Sequence, residues 1–112
     1  MILEDLDFAK ARNAPIYAEI IGACNNSGGQ RNGGTMTAPS TEGVIRCIRE
    51  AIKEAGIESK KIDLICGHLT GTTVDKMEIQ NWVHALELNK QDFPMVNSLK
   101  SMTGHCLSAA GS

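Results

Sequence analysis

The run KIDLICGH, Lys61 to His68, limits the possible folds of this chain more than any other. It is a nearly continuous apolar stretch of strand length, of the sort buried on both faces of a parallel sheet. It lies between two stretches with helical periodicity. Upstream, APSTEGVIRCIREAIKEAG puts Val44, Ile45, Ile48, Ala51, Ile52 and Ala55 on one stripe. Ser40 or Thr41 can cap that helix, and Gly56 supplies a left-handed exit. Downstream, the spacing predicts a helix from Asp75 to about Leu86, with Ile79, Trp82, Val83 and Leu86 as its buried stripe. Asp75 and Glu78 have capping-box spacing at its start.

Two further runs complete the pattern. IYAEIIGAC, Ile16 to Cys24, is rich in strand formers, with Gly22 as a candidate bulge. PMVNSL, opened by Pro94, reads as a third strand. LEDLDFAKARNAP, before Pro15, reads as a short helix or loop. The order strand, helix, strand, helix, strand has connections long enough for right-handed crossovers. This predicts an α/β fold, βαβαβ, with a mainly parallel sheet and flanking helices. No repeat or linker divides residues 1–112, so they read as one domain.

Composition removes several functions. The net charge of −2 and an aromatic content of 4% do not suit a nucleic-acid surface. No apolar run approaches the roughly 18–20 residues that span a bilayer, and the acidic N-terminus has no signal-peptide layout. The expectation is a cytoplasmic protein with neither nucleic acid nor membrane as partner. Cys24, Cys47, Cys66 and Cys106 form no CxxC pair, so reduced, partly buried thiols are expected. The loop NNSGGQRNGGT contains neither GxxxxGK[ST] nor GxGxxG and reads as a connector.

In a parallel sheet, ligands gather beyond the carboxyl ends of the strands. Those ends here are NNSGG, GHLTGT and SLKSMTGH, and two of the three carry a histidine. His68 and His105 either face one crevice, where imidazoles can donate to a developing oxyanion, or merely cap loops. Lys100 either is a surface ammonium or acts on His105. Thr70 and Thr72 either satisfy their own loop or hydrogen-bond a polar ligand beside His68. His84 falls off the buried stripe and reads as solvated. Cys66-Gly67-His68 and His105-Cys106 match no common zinc spacing, so no metal is expected. Cys106 reads as packing, because sequence neighbours rarely face each other as a catalytic pair.

Four segments resemble the C-terminal half of a β-ketoacyl-acyl-carrier-protein synthase, of the thiolase superfamily. LEDLDFAKARNAPIYAEIIGAC resembles that family's junction between halves, and MTAPSTEG, Met36 to Gly43, the segment opening its next helix. GHLTGTTVDKMEI resembles its HGTxT motif with the acidic pair after it. NSLKSMTGHCLSAAG is very similar to its KxxxGHxxGAAG motif. The resemblance implies a thiolase-like half, incomplete at its C-terminus, from an acyltransferase of fatty acid or polyketide-like biosynthesis. Such enzymes elongate acyl chains by decarboxylative Claisen condensation of a malonyl thioester with a cysteine-bound acyl group.

The resemblance also implies roles. His68 and His105 are the catalytic histidines, Lys100 supports them, and Thr70, Thr72 and Thr37 line the path of the phosphopantetheine arm. It implies no permanently bound cofactor, since substrate arrives on the phosphopantetheine of an acyl carrier protein. It departs at Leu69 and Ser108, where the family has glycines. None of the four cysteines sits in the family's nucleophile motif, and the chain stops before its final strands. The chain alone is therefore expected to be inactive, with the missing N-terminal half of the same enzyme as a partner and homo-oligomers through uncovered surfaces. The alternative is a non-catalytic, chain-length-factor-like subunit or carrier-binding scaffold.

Overall fold

A two-stranded parallel sheet and two long helices carry the architecture. The structure, a computed structural model, describes residues 2–27 and 40–109. Thr37 and most of the glycine-rich connector lie outside the described residues. In chain order the elements are α1 (Leu6–Ala11), α2 (Thr41–Ala55), a 3-10 turn (Ser59–Lys61), β1 (Leu64–Cys66), α3 (Asp75–Leu86), β2 (Met95–Asn97), α4 (Lys100–Thr103) and a second 3-10 turn (Leu107–Ala109).

The expected α/β character holds, and both long helices fall where the periodicity puts them. All six apolar stripe residues of α2 are half-buried, while Arg46, Arg49, Glu50, Lys53 and Glu54 are exposed. Gly56 ends the helix at φ 65°, with its N–H on the Lys53 carbonyl. Ser40 occupies the cap position, but its side chain makes no capping bond. β1 and β2 pair in parallel as Leu64 with Met95, Ile65 with Val96 and Cys66 with Asn97. The ladder runs on through Gly67 N–H to the Asn97 carbonyl at 2.8 Å and Met95 N–H to the Asp63 carbonyl at 3.0 Å.

Four expectations are corrected. Ile16–Cys24 forms no strand: residues 16–24 have no ladder partner among the described residues and lie, in part, along α2. Gly22 is a site of close approach there rather than a bulge. A Cβ on it would sit 2.5 Å from the Ala51 carbonyl oxygen and 2.7 Å from the Ala55 nitrogen. Second, β1 is not covered on both faces. Ile65 is buried, but Leu64 is 51% exposed and Cys66 is exposed too, so only one face of this two-stranded ribbon is covered.

Third, the buried face of α3 is rotated from the expected stripe. Leu86 is buried, but its companions are Asn81 and Ala85, and Val83 is 44% exposed. α3 packs against α2, and Arg49 of α2 seals the junction. Its guanidinium donates to the carbonyls of His84 (2.8 Å) and Ala85 (3.4 Å) and pairs with Glu87, meeting acceptors a helix end leaves open. Fourth, the N-cap of α3 is Val74, with no side-chain bond. Asp75 and Glu78 are not a capping box, because their oxygens are turned toward the preceding loop.

Candidate active site

The loop after β1 is fixed by two carboxylates. Glu78 accepts the His68 N–H on Oε1 at 2.6 Å and the Leu69 N–H on Oε2 at 2.9 Å. Asp75 accepts the Thr70 N–H on Oδ1 at 3.0 Å and the Gly71 N–H on Oδ2 at 2.9 Å. Four consecutive backbone donors thus meet four carboxylate oxygens. Charge-assisted bonds of this kind are among the stronger ones in proteins. Burial raises the Asp75 pKa, but the bonds from Thr70, Gly71 and Thr72 outweigh it, and the carboxyl ends below its ordinary value.

This cradle explains an unusual backbone. Leu69 has φ 27°, in the left-handed region that favours glycine. Its side chain folds over Gly67, where an added Cβ would meet Leu69 Cγ at 2.9 Å and Glu78 Oε1 at 3.3 Å. The bare Gly67 and the bulky Leu69 are therefore matched to each other. Thr70 and Thr72 lie on the same loop with their hydroxyls 3.2 Å apart, and the Thr72 oxygen also accepts the Val74 N–H at 3.3 Å.

The second strand end is built differently. After β2, Ser98 donates to the His68 carbonyl at 3.4 Å and accepts the Lys100 N–H at 3.5 Å, tying the two strand ends together. The single turn of α4 follows and closes at Gly104, φ 77°, whose N–H meets the Lys100 carbonyl at 2.9 Å. The reversal brings His105 back against His68. Their ring centroids are 5.0 Å apart at an interplanar angle of 79°. Both residues are exposed at the rim of the sheet.

Of the residues singled out in the sequence, His68, His105, Thr70 and Thr72 therefore share the carboxyl end of the sheet. Lys100 is on the segment that joins them and half-buried, but none of the ion pairs among the described residues includes its ammonium. Cys106 is exposed, and its thiol donates weakly to the carbonyls of Thr103 (3.8 Å) and Gly104 (4.0 Å). His84 is solvent-exposed on α3. No group of three or more His, Cys, Asp or Glu among the described residues is arranged to hold a metal ion. No helix among them is long and apolar enough to cross a membrane.

Sequence reasoning missed three contributors: Asp75 and Glu78 as holders of the His68 loop, and Ser98 as the link between strand ends. The available signal was a D-x-x-E pair that begins three residues after a Thr-Gly-Thr run, a spacing that serves a cap or a loop equally well.

Two neighbouring imidazoles are the kind of donors that can stabilise an oxygen that gains charge. Residues 17–112 match the family model described as "Beta-ketoacyl synthase, C-terminal domain". The chain is 38% identical to 3-oxoacyl-[acyl-carrier-protein] synthase 2 of Coxiella burnetii, over 99% of this chain and 26% of that protein. It is 37% identical to synthase 1 of Escherichia coli K12, over 99% and 25%. The chain spans about a quarter of the length of the curated relatives it matches. Among solved structures it resembles a type II polyketide ketosynthase in complex with its acyl-carrier protein. That match has a TM-score of 0.78 and 33% identity, over 96% of this chain and 26% of that one. It also resembles the ishigamide ketosynthase/chain length factor, with a TM-score of 0.74 and 37% identity, over 94% and 25%.

Proposed function

The chain belongs to the β-ketoacyl synthase C-terminal domain family, and from that membership we propose that it is the malonyl-binding part of a 3-oxoacyl-[acyl-carrier-protein] synthase. In this reading a malonyl thioester enters on the phosphopantetheine of an acyl carrier protein, which passes Thr70 and Thr72, with Thr37 on the same path. His68 and His105 donate to the thioester carbonyl oxygen. The bond to the carboxylate breaks, carbon dioxide leaves, and its electron pair becomes the enolate whose oxygen the imidazoles stabilise. The enolate carbon then attacks an acyl thioester on a cysteine, forming the new carbon–carbon bond and releasing the cysteine thiolate. That nucleophile belongs to the remaining part of the whole enzyme, so the 112-residue chain alone condenses nothing. Lys100 supports the pair electrostatically. No permanent cofactor takes part, and the enzyme works in the cytoplasm.

The observation that carries this reading is the His68–His105 ring pair at 5.0 Å, formed by residues 37 apart in sequence that follow two different strands. The test is malonyl decarboxylation by the whole parent protein. His105→Ala removes one of two oxyanion donors and should lower the rate about 10²–10³-fold. An unchanged rate would sink the assignment.

One observation favours a second reading, a non-catalytic subunit of the chain-length-factor kind or a carrier-binding scaffold. Leu69, with its left-handed backbone, stands directly beside His68. In that case wild-type parent protein would bind carrier but show no decarboxylation above background.

We also infer self-association. Ile2, Tyr17, Met95 and Met102 are strongly exposed, and exposed apolar surface favours association. Light scattering should show a mass that rises with concentration; a constant monomer mass would refute it.

A further inference from the structure

We infer that Cys24 and Cys47 form a redox-closable pair, which an oxidant joins in a disulfide that fastens residues 22–26 along α2. Neither residue belongs to the histidine site, and both thiols are free in the structure. The contacts around them impose their proximity. Gly22 lies against the backbone of Ala51 and Ala55, Ala23 N–H donates to Glu54 Oε2 at 2.8 Å, and Asn26 Nδ2 donates to the Gly43 carbonyl at 2.7 Å. Between these fixed points, Cys47 Sγ donates to the Cys24 carbonyl oxygen at 3.2 Å. Residues 22–26 thus run along α2 from its C-terminal to its N-terminal end, with the two cysteines opposite each other midway. Both are half-buried, whereas Cys66 and Cys106 are exposed.

The chemistry requires a two-electron oxidant, here a peroxide. The Cys47 thiolate attacks one peroxide oxygen, the O–O bond breaks, and a sulfenic acid and hydroxide form. The Cys24 thiolate then attacks the sulfenic sulfur and displaces a second hydroxide, closing the S–S bond. The two thiol protons convert both hydroxides to water. Cys24 is the group that holds the reaction back. Its hydrogen bond with Cys47, then burial, then the charges of Cys47, Glu50 and Glu54 push its thiol above the ordinary value. Closure should therefore be slow near neutral pH and accelerate as pH rises.

The test oxidises the full 112-residue chain carrying Cys66→Ser and Cys106→Ser with hydrogen peroxide, and maps peptides without reduction. The expected product is one intramolecular link between Cys24 and Cys47, with a mass loss of two hydrogens. Its rate should rise from neutral to alkaline pH, and it should be absent in Cys47→Ala. Closing a loop of this size should raise Tm by on the order of 10 °C, reversed by dithiothreitol. Products that are only sulfinic acids or intermolecular disulfides would overturn the pairing. So would closure no faster in native buffer than in urea. The same mapping on the whole parent protein, with its own fold around this segment, should give the same linked peptides; their absence there also overturns it.

Discussion

The two loops that carry the histidines are held by opposite means. After β1, residues 68–71 hand four consecutive N–H groups to Glu78 and Asp75, side chains of a helix packed against α2. After β2, α4 and His105 rely on bonds within the segment: Met102, Thr103 and Gly104 close onto Leu99 and Lys100. Ser98, whose hydroxyl reaches the His68 carbonyl, ties that second loop to the first. One imidazole thus stands on a backbone fixed by side chains of the helix that follows it, and its partner on a backbone fixed by bonds within its own turn. Pre-organisation at this site is uneven, and substitutions on the two sides should differ in size.

The largest effect on stability is expected from Glu78→Ala. It leaves the His68 and Leu69 N–H groups without their carboxylate and should cost about 1–3 kcal/mol, seen as a lower Tm and faster exchange of those two amides. Under the proposed function, the same substitution in the whole protein should also lower decarboxylation, because the backbone that carries His68 loses its anchor. Equal effects from a matched substitution on α4 would erase the contrast between the loops.

Next comes the Gly67–Leu69 pair. Gly67→Ala forces a Cβ to within 2.9 Å of Leu69 Cγ and should destabilise by about 1–3 kcal/mol. In a Leu69→Gly background the obstruction is gone and the left-handed backbone is unstrained, so most of that penalty should vanish. A double-mutant cycle by urea denaturation measures the coupling. Additive penalties would show that the two positions do not meet.

Much of the asymmetry was hidden from the sequence, for physical reasons. The α2 stripe was legible because six apolar residues at helical spacing leave one face to bury. The meeting of His68 and His105 was one of two alternatives that parallel topology left open once both were placed after strand ends. Asp75 and Glu78 were misjudged because a carboxylate in the first turn of a helix can cap its own helix or reach back to the preceding loop. The choice depends on where that loop runs in space. Ile16–Cys24 was misjudged since strand propensity records a fit to a pleated surface, not the presence of a partner strand. What the residues 22–26 found was a helix with two alanines where Gly22 could approach.

A smaller effect is expected from acid. Asp75 has a folded pKa below its ordinary value, so it binds its proton more weakly folded than unfolded. Its contribution to stability is complete above the ordinary carboxylate range and is lost as pH falls through the depressed folded value. The Thr70 and Gly71 amide resonances should therefore hold their positions down through mildly acidic pH and move only below the usual aspartate range. Asp75→Asn should remove that acid-sensitive step. A step at the ordinary aspartate position would mean that the bonds from Thr70, Gly71 and Thr72 do not favour the carboxylate.

The smallest effect tests the other loop. Thr103 Oγ1 donates to the Leu99 carbonyl at 3.2 Å and lies 3.3 Å from the Gly104 carbonyl, both within its own exposed turn. Thr103→Ala leaves acceptors that water reaches, so it should change stability by less than about 0.5 kcal/mol. Amide exchange around His105 should already be fast in the parent chain, and the substitution should barely alter it, whereas Glu78→Ala accelerates exchange at His68 from a protected baseline. If Thr103→Ala instead matched Glu78→Ala in Tm and exposed the His105 segment to the same degree, α4 would be as firmly built as the carboxylate cradle. The two histidines would then stand on equal ground.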